Sequence, residues 1–148
     1  MRKLMLLAGA MCLAGSAASV QAKAMKWMDA AGAGLPAGAK MAVVKGDPSK
    51  AGEFTVRLKM PANYAVPPHH HPGDEVVRVM DGGTLSYGMG VKLDRSNVGS
   101  LTKGYHVTMA AGMNHYAFTS DPVEVQVTGM GPFEITYVDP KDDPRGAK

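Results

Sequence analysis

The chemistry-bearing part of this chain is Pro67-Pro68-His69-His70-His71-Pro72-Gly73-Asp74-Glu75. It holds three of the five histidines in consecutive positions and a carboxylate four residues after the last of them. Side chains on an extended strand alternate faces, so the spacing predicts that His69, His71 and Glu75 share one face while His70 points away. Two imidazoles and a carboxylate converging on one side make most of a transition-metal site. A histidine triplet can also be a solvent-exposed loop, and Glu75 an ordinary surface acid. Against that, Glu75 stands directly before Val76-Val77-Arg78-Val79, at the mouth of an expected strand. Pro67, Pro68 and Pro72 are expected to stiffen the approach to the histidines.

Other chemistries find little support. No serine sits in a nucleophile-elbow pattern, and no glycine-rich loop leads into a helix to cradle phosphate. Cys12 is the single cysteine, and it falls in a segment that reads as a leader. Arg2 and Lys3 precede a short apolar run from Leu4 to Gly15, and Val20-Gln21-Ala22 offers small residues for cleavage. The run is shorter than the roughly 20 residues that a membrane span needs. Met11 before Cys12 argues against a lipoprotein. The expectation is an exported protein, periplasmic or secreted, cleaved near Ala22 and left without thiol chemistry. Of the formal charge of +3, Arg2 and Lys3 carry most, and the remaining charges are scattered. Nucleic acid and membrane are therefore not expected partners.

The elements that must hold these residues read as one all-β domain. After residues 1–22, a Gly- and Ala-rich segment over 23–40 is expected as an irregular arm, with Trp27 to anchor it. Residues 41–138 form the domain, and 139–148 a C-terminal tail. Phe54-Thr55-Val56-Arg57-Leu58-Lys59-Met60 alternates apolar and polar residues without a break, as a half-buried strand does. Further strands are expected over Val76–Met80, Thr84–Met89, Tyr105–Met109, His115–Thr119, Val123–Thr128 and Phe133–Val138. Asp81-Gly82-Gly83, Ala111-Gly112, Asp121-Pro122 and Gly131-Pro132 mark the turns between them. Gly90 to Lys103 is the longest irregular link. Short strands with Gly and Pro turns point to a sandwich, jelly roll or small barrel.

The spacing then becomes specific. His69 is followed after one residue by His71, after three more by Glu75 and after six more by Gly82. Gly104 is followed after five residues by Ala110, after one by Gly112 and after two by His115. This resembles the two motifs of the cupin superfamily, over Phe54 to about Val138, and most of all the small, secreted, single-domain cupins. Asn63, Ala110 and Thr119 stand where the motifs have glycine, proline and asparagine. Asn tolerates left-handed backbone nearly as well as Gly does, and none of the three departures removes a ligand.

The resemblance implies a cupin β-barrel or double-stranded jelly roll in which His69, His71, Glu75 and His115 bind one divalent transition metal. Three neutral imidazoles and a carboxylate suit Mn, Fe, Ni, Cu or Zn better than Ca or Mg. Six-coordination would leave two positions for water, dioxygen or a small-molecule ligand or substrate. The imidazoles must be deprotonated to bind, so affinity should fall below about pH 6.5.

The resemblance also admits a metal-dependent oxygenase-like or decarboxylase-like enzyme acting on a small oxygenated substrate. Its alternatives are a non-catalytic binder of metal or small ligand, and a cupin whose metal only ties strands together. A homodimer through strand edges is expected. His115 could instead be a hydrogen-bonded core histidine, and His70 and His106 are expected on opposite strand faces. Met80, Met89, Met109, Met113 and Met130 read as core filling, with soft ligation of cuprous ions as the alternative. Tyr64, Tyr87 and Gln126 are candidate pocket-lining residues, with packing or surface roles as their alternative.

Overall fold

The structure, a computed structural model, describes residues 24–146. The expected leader over residues 1–22 lies outside the described residues. The described chain forms eleven strands: β1 (Met28–Asp29), β2 (Lys40–Lys45), β3 (Gly52–Met60), β4 (Ala65–His70), β5 (Glu75–Gly82), β6 (Leu85–Met89), β7 (Gly99–Leu101), β8 (His106–Met109), β9 (His115–Thr119), β10 (Val123–Gly131) and β11 (Thr136–Tyr137). Two 3-10 turns, Ala30–Ala33 and Pro140–Asp142, complete it. No helix among the described residues is long and apolar enough to cross a membrane.

The strands make two antiparallel sheets. The first runs β1-β2-β3-β10-β5-β8 and the second β11-β4-β9-β6-β7. They face one another as an all-β jelly roll and do not close into a continuous barrel. Alternation decides what lies between them. Phe54 and Val56 of β3, Val125 and Val127 of β10 and Val79 of β5 are buried from the first sheet, against Val66, Leu85 and Tyr137 from the second. Their polar neighbours turn outward, where Arg57 Nη1 donates to Glu124 Oε1 across β3 and β10 at 2.7 Å.

Five segments differ from the sequence expectation; of the strand expected over Phe133–Val138, only Thr136–Tyr137 pairs as a strand. Ala65–His70 is a strand in spite of Pro67-Pro68. Proline offers the ladder no N–H, and the pairing of β4 with β9 shifts register between Val66 and His69, where the prolines sit. The arm over 23–40 is partly regular: β1 pairs with β2, and Ala30 is fully buried. Trp27 packs as expected, with Lys59 Nζ 4.1 Å from its ring centroid. The C-terminal segment docks back onto the domain, where Arg145 Nη2 donates to the Ile135 carbonyl at 2.8 Å.

The long link after β6 contains β7 and folds over the outer face of the second sheet. There Tyr116 Oη donates to the Asp94 carbonyl at 2.9 Å, and the Arg95 guanidinium lies 4.2 Å from the Phe118 ring centroid. Tyr116 can lie flat only because residue 88 is glycine. A Cβ there would come within 2.3 Å of the phenol oxygen.

Two substituted motif positions show how the fold absorbs them. Asn63 takes φ of 57°, the left-handed geometry a glycine would supply. Thr119 Oγ1 donates to the Pro61 carbonyl at 2.7 Å and accepts from the Tyr64 N–H at 3.2 Å, pinning the turn into β4.

Candidate metal centre and adjoining cavity

His69 and His115 are direct partners on neighbouring strands β4 and β9, so both point to the inner face at the same level. His71 lies just past the end of β4. All three are buried, and one ring nitrogen from each falls within 4.8 Å of the others. The ring centroids are 4.3 Å apart for His69–His115, 4.9 Å for His69–His71 and 5.3 Å for His71–His115.

Glu75 approaches the three histidines from elsewhere than the alternation predicted. It does not share a strand face with the histidines. The chain crosses between sheets over residues 71–74, and Glu75 opens β5 of the first sheet, facing them across the interior. Its Oε2 lies 3.2 Å from His115 Nε2 and 3.5 Å from His71 Nε2.

Backbone carbonyls set the imidazoles. Nδ1 of His69 lies 2.7 Å from the Pro67 oxygen, Nδ1 of His71 2.7 Å from that of Glu134, and Nδ1 of His115 2.9 Å from that of Met113. A carbonyl only accepts, so each Nδ1 carries a proton, and in the neutral form of each ring the Nε2 lone pair faces inward. Nε2 of His71 and of His115 are buried without a hydrogen-bond partner, since Glu75 stands near both but off the line a hydrogen bond needs.

Two loop contacts hold the halves together. The Gly112 N–H donates to the His71 carbonyl at 2.9 Å, and the Ala111 N–H to Asp74 Oδ1 at 2.8 Å. Gly112 sits at φ of 72°, the conformation this tight return requires. Phe133 stacks on the His71 ring with centroids 4.2 Å apart.

Protonation follows from burial and charge. Burial, aided by the charge of His115, pulls His69 down to about 3. Burial also lowers His71. For His115 burial acts downward, but the adjacent Glu75 carboxylate more than offsets it and holds the ring up. Burial pushes Glu75 up, and the neighbouring imidazoles outweigh that and leave it lowered. Without a metal, burial thus favours neutral rings at His69 and His71, and the Glu75 carboxylate favours the protonated form of His115.

A cavity of ≈ 300 Å³ lies between the sheets and opens onto all four residues. Tyr87 lines it. Tyr64 does not: it is buried elsewhere, its Oη donating to the Pro36 carbonyl at 2.6 Å. Gln126 does not either, because it lies between the inward Val125 and Val127 and so faces outward. His70 turns away toward Asn114 Oδ1 at 3.2 Å, and His106 is exposed beside Arg78. Among the methionines, Met109 is buried against the cavity as the strand partner of Glu75, whereas Met89, Met113 and Met130 are largely exposed.

The family model of the ChrR cupin-like domain matches residues 16–134. The chain belongs to the ChrR cupin-like family. The solved structures that share the fold of this ChrR-like cupin include the polyketide cyclase RemF from Streptomyces resistomycificus, 16% identical over 72% of this chain and 75% of that one, with a TM-score of 0.58. The DMSP lyase DddQ from Ruegeria pomeroyi DSS-3 is 20% identical over 73% of this chain and 57% of that one, with a TM-score of 0.56. KdgF from Halomonas sp. is 18% identical over 71% and 86%, with a TM-score of 0.55. At these identities the likeness establishes a common fold. No curated protein sequence matches the chain significantly.

The residues of this cupin fit a transition metal on their own geometry. Three imidazoles with fixed tautomers and two orphaned, buried Nε2 atoms form a donor set that lacks only its acceptor. Sequence reasoning missed the tie from Asp74 to the loop before β9, and also Phe133 and the Glu134 carbonyl, which reach His71 from another segment. Only the register of the folded chain brings them near.

Proposed function

We propose that this ChrR-like cupin holds one divalent transition metal through Nε2 of His69, His71 and His115 and the carboxylate of Glu75. These residues would present the ion to a small molecule admitted by the cavity. The observation that carries this reading is the pair of buried, unpartnered Nε2 atoms beside an ionised carboxylate. When bound, the metal supplies a Lewis acid with open positions for an oxygenated ligand. The chain's own residues orient it: carbonyls of Pro67, Glu134 and Met113 keep Nδ1 protonated, and the apolar walls exclude water.

An oxygenase-like or decarboxylase-like reaction is the enzymatic form of this proposal, and retention of a ligand without turnover is the alternative. The fold leaves that choice open, because one fold hosts many reactions. The cavity adjoining the cluster favours small-molecule chemistry over a metal that only ties strands together. Export to the periplasm belongs to the same proposal, supported by the leader-like composition of Met1–Ala22, as does a homodimer through the open sheet edges.

Glu75→Gln tests the ligand set. It should weaken metal binding at least tenfold by calorimetry. In the metal-free protein it should move the His115 titration, followed by NMR, downward toward or below the ordinary imidazole value. Unchanged metal affinity would remove Glu75 from the ligand set.

A further inference from the structure

The wall of the cavity beyond the four candidate ligands is almost wholly apolar. Val56, Leu58, Val77 and Val127 face it from the first sheet, and Leu85 and Ala117 from the second. Apart from the histidines and Glu75, Tyr87 and Arg145 are the only titratable residues on its wall among the described residues. Arg145 is already engaged: its Nε and Nη2 reach Asp143 at 2.8 and 2.9 Å, and Nη2 also donates to the Ile135 carbonyl at 2.8 Å. Ser49 lines the cavity as well, with its hydroxyl committed to Asp47 Oδ1 at 2.7 Å. A second charged group on a ligand would therefore meet one cation, already paired with Asp143, and at most the Tyr87 hydroxyl as a neutral donor, and burying it there is costly.

Resting on the metal reading above, we infer that the cavity takes a compact, largely apolar molecule with one oxygen-bearing head and no second charged group. The head, a carboxylate, enolate or diketone, reaches the metal, and the hydrocarbon body lies between the sheets. A space of ≈ 300 Å³ is at the lower end for small-molecule sites and suits about 10 to 15 non-hydrogen atoms. Small dianions and sugar-like polyols are the classes this wall disfavours.

Two titrations separate the body from the head. Metal-free protein is titrated calorimetrically with 1-alkanols from butanol to octanol. Affinity should rise about fourfold per methylene until the space is filled. Ala117→Phe, or the milder Ala117→Leu, should cut the longest alkanol's affinity at least tenfold without altering cobalt uptake. Affinity that stays flat with chain length overturns the inference.

Cobalt(II)-loaded protein is then titrated with hexanoate and with adipate, following the visible absorption of the metal. Hexanoate should perturb the spectrum and bind at least tenfold more tightly than adipate, and the reverse order overturns the inference. Failure to bind cobalt with the alkanol trend intact overturns the metal reading and the metal-bound head, and leaves the apolar body standing.

Discussion

The cavity's two walls are built by different physics. The histidine-lined wall depends on single atoms: three carbonyls fix three tautomers, and two backbone N–H groups of the loop before β9 lock it to the segment that carries His71. The apolar wall depends on a pattern, in which every second residue of β3, β5 and β10 faces inward. An aliphatic wall tolerates exchange among residues of similar volume, whereas a donor set does not tolerate the loss of a donor. On the proposed function, metal binding would therefore depend on the histidines and Glu75, and stability is spread over the aliphatic residues.

The sharpest way to break this contrast is His71→Ala. Metal affinity should fall more than about 100-fold, a larger loss than outer-shell changes produce, while the strand signal in circular dichroism stays. Full metal occupancy in that variant, measured by elemental analysis, would mean the wall is not a donor set.

Acid should act on the polar wall next. Burial holds His69 at about 3, so between the ordinary imidazole value and pH 3 the unfolded chain binds a proton there that the folded chain refuses. Stability of the metal-free protein then falls as pH drops through that window, by up to about 1.4 kcal/mol per pH unit for such a group. His71, also lowered, acts in the same sense. His115 acts in the opposite sense: held up by Glu75, it stabilises below its unfolded value and loses that contribution as pH rises through its folded one. Thermal melts at pH 7 and 5 should show the loss, and His69→Gln should reduce it. An unchanged slope in that variant would place the acid sensitivity elsewhere.

Away from the donor set the effects are smaller and fall on stability rather than on metal binding. Val127→Ala, at a position 2% exposed, and Thr119→Val, which removes two hydrogen bonds, should each cost roughly 1–3 kcal/mol. Denaturant melts check this, with metal affinity expected to stay within about twofold. At the bottom of the scale, Gln126→Ala should change stability by under about 0.5 kcal/mol and ligand binding not at all, because Gln126 faces outward.

Much of this was legible before the fold was known. The alternation of Phe54 to Met60 and the turn signals between short apolar runs place five of the eleven strands, β3, β5, β6, β8 and β9, within a residue or two. The pattern around Val125 and Val127 already implied that Gln126 points away from the interior, although Gln126 alone reads as a candidate pocket residue. What stayed hidden depends on which sheet a strand joins. Pro67-Pro68 disguised β4, because prolines break the ladder that defines a strand. Glu75 was legible as a neighbour of the histidines, but not as one that faces them from the opposite sheet, because local alternation carries no information about sheet exchange. The roles of Phe133 and Glu134 depend on contacts across more than sixty positions, which no local spacing encodes.

The central claim is that the donor set of His69, His71, Glu75 and His115 holds a metal. Elemental analysis of protein purified from cells without chelator tests it most directly. The account predicts close to one transition-metal ion per chain, lost on replacing His71 or His115. Less than about a tenth of an ion per chain, in protein that is folded and has been offered Mn, Fe, Ni, Cu and Zn, would contradict it.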